Sequence, residues 1–177
     1  MKLVILDRDG TINHDSDQYI KSPEEWRPIK GSLEAIARLT QADYRIVVAT
    51  NQSGIARGLF DTRTLFAIHD TLNRALAPVG GRIDAFFFCP HKAEDACVCR
   101  KPQPGMLLEV ARRFNISLEN TYMVGDALRD VQAAAAAGAR PVLVLTGRGR
   151  KTRDEGGLPA GTAIFDDLAA FAEHLAP

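Results

Sequence analysis

A chain of 177 residues fits one domain, with room for a second only as a small insertion. Its 46% hydrophobic and 25% charged residues exclude a disordered or fibrous chain and predict a sizeable buried core. Lys plus Arg equals Asp plus Glu at 22 each, so no global field recruits nucleic acid or an anionic membrane, while a basic pocket stays open to it.

Short apolar runs alternate with helix-period segments along the chain, which predicts a parallel sheet covered on both faces. The opening MKLVILDRDG has four apolar residues in a row before its charges, too few for a signal peptide or membrane span, and this predicts a cytoplasmic protein. In an open sheet of this kind ligands bind beyond the carboxyl ends of the strands, so the residues just after each strand are the ones to read.

The first predicted strand is LVIL (3–6), followed by DRDGT with Asp7 and Asp9 two positions apart. Carboxylates this close repel, and a fold that keeps both must supply a proton or a cation. Magnesium answers that need with oxygen ligands from one or two carboxylates, phosphate and water. An EF-hand loop is excluded because glycine stands fourth and threonine fifth, which leaves an ordinary Asp-Gly turn as the other reading.

A helix carrying Leu33, Ile36 and Ala37 precedes the second strand, YRIVVA (44–49). That strand runs into Thr50, Asn51, Gln52 and Ser53, whose hydroxyls, amides and backbone N–H groups suit either an anion cradle or a plain turn. Leu65, Ile68, Leu72 and Leu76 mark the next helix, and IDAFFF (83–88) the third strand.

The segment CPHKAEDACVCRKP (89–102) holds all three cysteines. Cys89, Cys97 and Cys99 with His91 offer three sulfurs and one nitrogen, a donor set for closed tetrahedral zinc in a reducing compartment. The spacing is not that of a nucleic-acid finger, and four donors leave no open position for catalysis. Arg100 and Lys101 follow the last cysteine, so folding around a metal fixes where both cations point.

Leu107, Val110, Ala111 and Phe114 predict a further helix, and TYMV (121–124) a fourth strand running into VGDALRD. Asp126 thereby arrives at the same sheet edge, with Asp130 one helical turn later on the same face. Asp130 either orients Lys101 or metal-bound water, or pairs with a surface cation. An alanine run ending at Gly138 reads as a glycine-capped helix, and PVLVL (141–145) as the fifth strand. The stretch from 146 to 161 reads as a long mobile loop, solvated or ligand-binding, and Asp166 as the cap of a last helix through Leu175.

The order Asp-x-Asp, Thr, Lys, Asp, each set against a strand or helix start, resembles the haloacid dehalogenase (HAD) phosphatase superfamily over residues 3–145. The resemblance implies a doubly wound three-layer α/β sandwich with a central parallel sheet, no large cap domain, and one domain over 1–177 with a zinc loop at 89–102. It implies Asp7 as nucleophile, Asp9 as general acid and base, Thr50 and Lys101 holding the phosphoryl group, and magnesium held by Asp7, Asp9 and Asp126. Asp9 must then begin protonated, with a raised pKa. Receiver domains, a non-enzymatic alternative, place similar groups in a different chain order.

Within the superfamily, DRDGTIN, TNQSGIARGLF and CPHKAEDACVCRKP look like the heptose-1,7-bisphosphate 7-phosphatases of lipopolysaccharide-core or nucleotide-heptose synthesis. Histidinol-phosphate phosphatases are near relatives that share the metal segment. The implied enzyme takes a sugar phosphate, has no nucleic-acid or membrane partner, and is expected to be a monomer. Implied substrate contacts are Asp15, Ser16, Asp17, Gln18, Thr50, Asn51, Gln52, Ser53, Arg100 and Lys101. Residues 15–18 read equally well as a solvated loop, and Arg57 either meets the distal phosphate or is a surface arginine. Ala127 stands where some members carry a lysine that contacts substrate, leaving Arg148, Arg150, Lys151 and Arg153 as candidate replacement charges.

Overall fold

Every residue of the first strand except Lys2 is buried, and alternate side chains enter different cores. In the computed structural model, which describes residues 1–177, β1 (Lys2–Leu6) sends Val4 and Leu6 into one apolar cluster and Leu3 and Ile5 into another. A strand that must be apolar on both sides reads as one continuous hydrophobic run, and it requires helices above and below.

The chain supplies them in alternation. β1 is followed by α1 (Ser32–Gln41), β2 (Tyr44–Asn51), α2 (Thr62–Leu76), β3 (Ala85–Cys89), α3 (Gly105–Phe114), β4 (Tyr122–Gly125), α4 (Leu128–Ala137), β5 (Arg140–Val144), α5 (Gly149–Glu155), β6 (Ala163–Phe165) and α6 (Leu168–Leu175). All strand pairs are parallel, in the order β3-β2-β1-β4-β5-β6. Ile36 and Leu39 of α1, Ile68 and Leu72 of α2, and Phe171 of α6 pack on the face that holds Val4 and Leu6. Leu107 and Val110 of α3 and Ala133 and Ala134 of α4 cover the opposite face.

Chain direction diverges between β1 and β4, the two central strands, and such a switch opens a crevice at the strand ends. Asp7 and Asp126 are the residues immediately after those strands. The longest connection, 7–31, folds back through buried Ile12, Ile20 and Trp26, and no inserted domain covers the crevice.

Three local expectations change. The expected loop from 146 to 161 contains α5, whose Gly149 and Thr152 are buried; Thr152 Oγ1 donates to Asp126 O at 2.9 Å, so the turn is anchored to the site. β6 is a three-residue edge strand with two exposed positions, and so short and solvated a segment has no alternation to read. The last helix is capped one residue later than expected, by Asp167, whose side chain accepts from Ala170 N at 2.8 Å.

Phe171 is buried and sits edge-on to Tyr122 and Phe165, with ring centroids 5.5 and 5.6 Å away. Phe171→Ala should cost about 3–5 kcal/mol in urea unfolding through the cavity it leaves. Because the residue packs on the first residue of β4 and on the edge strand β6 and not at the crevice where Asp7 and Asp126 stand, turnover per folded molecule should stay unchanged.

Candidate active site

The end of β1 is locked to β4 by the Asp7 N–H, which donates to Val124 O at 2.8 Å. From the opposite side of the sheet edge comes Lys101, whose Nζ lies 2.9 Å from Asp7 Oδ1 and 2.7 Å from Asp130 Oδ1 and donates to Ala49 O at 2.8 Å. Carboxylate oxygens of Asp7, Asp126 and Asp130 all lie within 4.8 Å of one another, and all four side chains are buried. Asp130 therefore orients Lys101 and does not serve a surface cation. Its other oxygen accepts from Ala127 N at 3.0 Å and closes the first turn of α4.

One ammonium shared by two carboxylates leaves the third without an ion-pair partner. Asp126 Oδ2 accepts from Arg148 N at 2.7 Å, while Oδ1 is buried with no partner at all. Burial, with Asp130 and Asp7 close by, pushes Asp126 up to about 8. Burial and then Asp130 push Asp7 up to about 6 in spite of Lys101. Burial works against the charge of Lys101, but Asp130 and Asp7 outweigh it, and its pKa is raised. Surplus negative charge around an unpartnered buried oxygen suits a hard divalent cation, with Asp7 and Asp126 as donors. Gly10, at φ +82°, lets the following turn pass so close that any Cβ there would strike the Asp126 carboxylate.

The Asp9 carboxylate is not in that cluster. Arg8 donates to Asp9 Oδ1 from Nε at 3.0 Å and from Nη2 at 2.9 Å, Asn13 Nδ2 reaches the same oxygen at 2.9 Å, and Gln52 Nε2 reaches Oδ2 at 2.9 Å. Burial raises Asp9, but the Arg8 charge and the Asn13 and Gln52 hydrogen bonds outweigh it and hold the carboxyl below its ordinary range. The expected upward shift is thus reversed, because the arginine between the two aspartates turns inward. Arg8 Nη1 also lies 3.4 Å from His69 Nε2, and since arginine has no acceptor, His69 must receive that bond as a neutral imidazole. Burial, with Arg8 beside it, pulls His69 down to about 3, and its ring stacks on Phe86 with centroids 4.1 Å apart. Sequence reading missed Arg8, Asn13 and His69; a charged residue between two acids at the end of a buried strand was the available clue to the first.

Above these groups opens a cleft of about 220 Å³ lined by Asp7, Asp9, Asp15, Ser16, Asp17, Tyr19, Ile20, Asn51, Gln52, Ser53, Arg100, Arg129 and Arg148. Thr50 lies buried beneath it, its hydroxyl accepting from Gln52 Nε2 at 2.9 Å. Asn51 also clamps the lysine backbone, with Nδ2 donating to Lys101 O at 3.0 Å and Oδ1 accepting from Lys101 N at 3.1 Å. Gln18 and Arg57 are exposed and lie outside the lining. Of the four basic residues considered after the fifth strand, only Arg148 reaches the cleft, paired with Asp15 and Asp17 at 3.3 Å each; Arg150, Lys151 and Arg153 face solvent. Arg129 lines the cleft although nothing in the sequence reading singled it out.

The 89–102 segment brings its four predicted ligands together, with donor atoms within 4.8 Å of one another. Sulfur separations are 3.2 Å for Cys99–Cys89, 3.5 Å for Cys99–Cys97 and 3.6 Å for Cys89–Cys97, and His91 Nδ1 lies 3.3 Å from Cys99 Sγ. Metal–sulfur bonds of about 2.3 Å in a tetrahedron give edges of about 3.8 Å, so the cluster closes around one ion with little movement. Burial pushes the Cys89 thiol up to about 12, and a buried thiol this hard to ionise needs a cation before it can serve as a thiolate. All three cysteines are free of disulfides.

A model of the HAD-hydrolase-like family matches residues 98–171. The D-glycero-beta-D-manno-heptose-1,7-bisphosphate 7-phosphatase of Bordetella bronchiseptica is 62% identical over 175 residues, covering 99% of this chain and 98% of that one. The enzyme of the same name from Pseudomonas putida is 53% identical over 175 residues, covering 99% of each. A crystal structure of the B. bronchiseptica D,D-heptose 1,7-bisphosphate phosphatase complexed with magnesium and phosphate superposes with a TM-score of 0.98, covering 99% of this chain and 98% of that one. By this likeness the chain belongs to the D-glycero-beta-D-manno-heptose-1,7-bisphosphate 7-phosphatase family of HAD-like hydrolases.

Proposed function

We propose that this protein removes the 7-phosphate of D-glycero-beta-D-manno-heptose 1,7-bisphosphate, acting in the cytoplasm in lipopolysaccharide-core or nucleotide-heptose synthesis. All 177 residues form its phosphatase domain, and it works as a monomer. The observation that carries the chemistry is the Lys101 Nζ to Asp7 Oδ1 pair, 2.9 Å long, inside a buried group of carboxylates at the β1–β4 crevice. The substrate reading rests on the two relatives of that name at 62% and 53% identity.

Asp7 is the nucleophile. One of its oxygens forms a bond to phosphorus as the bond from phosphorus to the C7 oxygen breaks, giving an aspartyl-phosphate and splitting one hard displacement into two. Asp9 gives its proton to the departing alkoxide, then takes one from the water that attacks the aspartyl-phosphate, which frees inorganic phosphate and restores Asp7. Thr50 and Lys101 hold the equatorial oxygens, and Lys101 is placed for this by Asp130, Ala49 O and the Asn51 clamp. Asp7 and Asp126 hold magnesium, which when bound neutralises charge on the carboxylates and the phosphoryl oxygens. The Cys89, His91, Cys97 and Cys99 cluster holds zinc as a strut that sets the course of Arg100 and Lys101. Asp15, Ser16, Asp17, Asn51, Ser53 and Arg100 line the cleft and read the sugar.

Asp7→Asn should lose kcat by several orders of magnitude with an unchanged melting temperature in magnesium; near-normal phosphate release from the purified variant refutes the nucleophile. The wild type should show its highest kcat/KM for the beta anomer of the heptose bisphosphate. Histidinol phosphate winning that comparison under identical magnesium would replace the substrate.

Asp7 and Asp126 hold protons more tightly when folded than at the unfolded value of 3.8, reaching about 6 and about 8. At these two carboxyls the folded state thus binds extra protons between about pH 4 and pH 8, which lowers metal-free stability as pH rises, while His69, held neutral down to about 3 against 6.5 when unfolded, works the other way up to about pH 6.5. Melting curves in a chelator should drop from about pH 6.5 to about pH 8, where Asp126 titrates with His69 no longer opposing it, and magnesium should restore most of the loss at the upper end. A flat metal-free profile contradicts the charge surplus.

Metal analysis should find one zinc per chain. Its removal should loosen the 89–102 segment in hydrogen exchange and lower turnover, whereas normal turnover of zinc-free, folded enzyme removes the strut role.

A further inference from the structure

We infer that Gln52 is a positioning residue that fixes the direction of the Thr50 hydroxyl proton, and so turns that hydroxyl toward the transferring phosphoryl group instead of reading the sugar. This role deepens the proposed reaction, in which Thr50 holds phosphoryl oxygens, and it rests on that reading.

The arrangement begins with the strand. Side chains two apart on extended backbone share a face, and those between them point the other way. Asn51 accordingly leaves the end of β2 on one side and clamps the backbone of Lys101, while Gln52 and Thr50 meet on the other, with Gln52 Nε2 2.9 Å from Thr50 Oγ1. The ladder runs one residue past β2, since Gln52 N donates to Cys89 O at 2.7 Å, and this fixes the backbone beneath the amide. Both side chains are buried.

Asp9 settles which amide atom faces which partner. Its Oδ2 lies 2.9 Å from the Gln52 amide and 3.2 Å from Arg8 Nη2, and a carboxylate paired with a guanidinium only accepts. The atom that faces Asp9 is therefore the NH2 nitrogen, and its second hydrogen goes to Thr50 Oγ1. An NH2 group of this kind cannot accept, so the Thr50 proton must point elsewhere. The bond from Gln52 is the only hydrogen bond of the Thr50 hydroxyl within the protein, which leaves its proton for a ligand. A buried hydroxyl whose lone pair is engaged and whose proton is unused is a donor prepared in advance for an anion in the cleft above it. Reading the sugar would fall to Gln52 Oε1, the one polar atom of that side chain with no protein partner.

The test measures the dissociation constant of inorganic phosphate by calorimetry, in saturating magnesium, for wild type, Gln52→Met, Thr50→Val and the double variant. Both substitutions keep the side-chain shape and remove its hydrogen-bonding atoms. Gln52→Met should weaken phosphate about three- to tenfold, the worth of one neutral hydrogen bond. Thr50→Val should weaken it about ten- to a hundredfold, because its hydroxyl meets a charged oxygen. The double variant should stay within about twofold of Thr50→Val alone, since Gln52 acts through that hydroxyl. Further weakening in the Thr50→Val background would mean that Gln52 acts on the anion directly or through Asp9, and overturns the inference. An unchanged phosphate constant for Gln52→Met overturns it as well, and a raised KM for the heptose bisphosphate would then make Gln52 a sugar reader. A dissociation constant does not depend on the fraction folded, so lost stability alone would leave it unchanged. Gln52→Leu and Thr50→Ala replace any variant that does not fold. A wild type that binds phosphate but does not release it from the heptose bisphosphate refutes the substrate reading, and the four phosphate constants decide the role of Gln52 separately.

Discussion

The whole site depends on keeping Lys101, 1% exposed, charged inside the protein. An ammonium taken out of water is tolerated only where anions surround it at bonding distance, and removing one partner of such a group costs about 3–5 kcal/mol. Asp7 and Asp130 are those partners, with Ala49 O as the third acceptor. The arrangement overshoots, because Asp126 brings a further carboxylate that no side-chain cation meets within ion-pair distance. The fold thus balances one buried positive charge by accumulating a local excess of negative charge, an environment that suits a divalent cation.

Holding the lysine requires its backbone to be fixed, since a flexible stem would let the ammonium swing back toward water. Two devices act on the same residue. The Cys89 to Cys99 cluster folds the preceding segment back on itself, and the Asn51 side chain grips both the N–H and the C=O of Lys101. Gly105 N donating to Val98 O at 3.0 Å closes the far side, where a Cβ at position 105 would collide with that carbonyl. The cysteine and histidine cluster, without joining the carboxylate group, thus helps to decide where the Lys101 ammonium points.

The strands and their order along the sheet edge were legible because a parallel sheet buried on both faces leaves unbroken runs such as LVIL and YRIVVA, with reactive residues directly behind them. Asp7 and Asp126 follow strands directly and Thr50 lies at the end of one, Lys101 follows the cysteine segment, and the four could be read as a set because their order resembles that of the HAD phosphatases; the four Cys and His donors were legible from residue type and close spacing. What escaped reading depends on side-chain direction. Arg8 looks like a surface charge in sequence, yet the turn at Gly10 carries it inward with no exposure. Arg129 lies on a helix face whose role is decided by its neighbours across the crevice, and Asn51 acts on a residue fifty positions away. The α5 turn was hidden for the opposite reason: its basic, glycine-rich composition suggests solvent, and only the contacts of Gly149 and Thr152 tie it down.

The hydrogen bonds around Asp9 bear on its proposed roles as acid and base. With Arg8, Asn13 and Gln52 all donating to it, Asp9 is held as a carboxylate, the state that the proposed general base needs to activate water in the second step. The first half requires a proton. A phosphoryl dianion arriving beside Asp7 adds like charge a short distance away, which favours protonation of Asp9 and competes for the same donors. Gln52 and Asn13 are the more exchangeable, because each amide nitrogen divides its hydrogen bonds, Gln52 between Asp9 and the Thr50 hydroxyl and Asn13 between Asp9 and His14 O. Arg8 is not exchangeable, being fully buried and backed by neutral His69. In the proposed reaction substrate therefore tunes Asp9 through its own charge; giving its proton to the departing alkoxide leaves Asp9 as the carboxylate that the water step needs, and Arg8 holds it in that form.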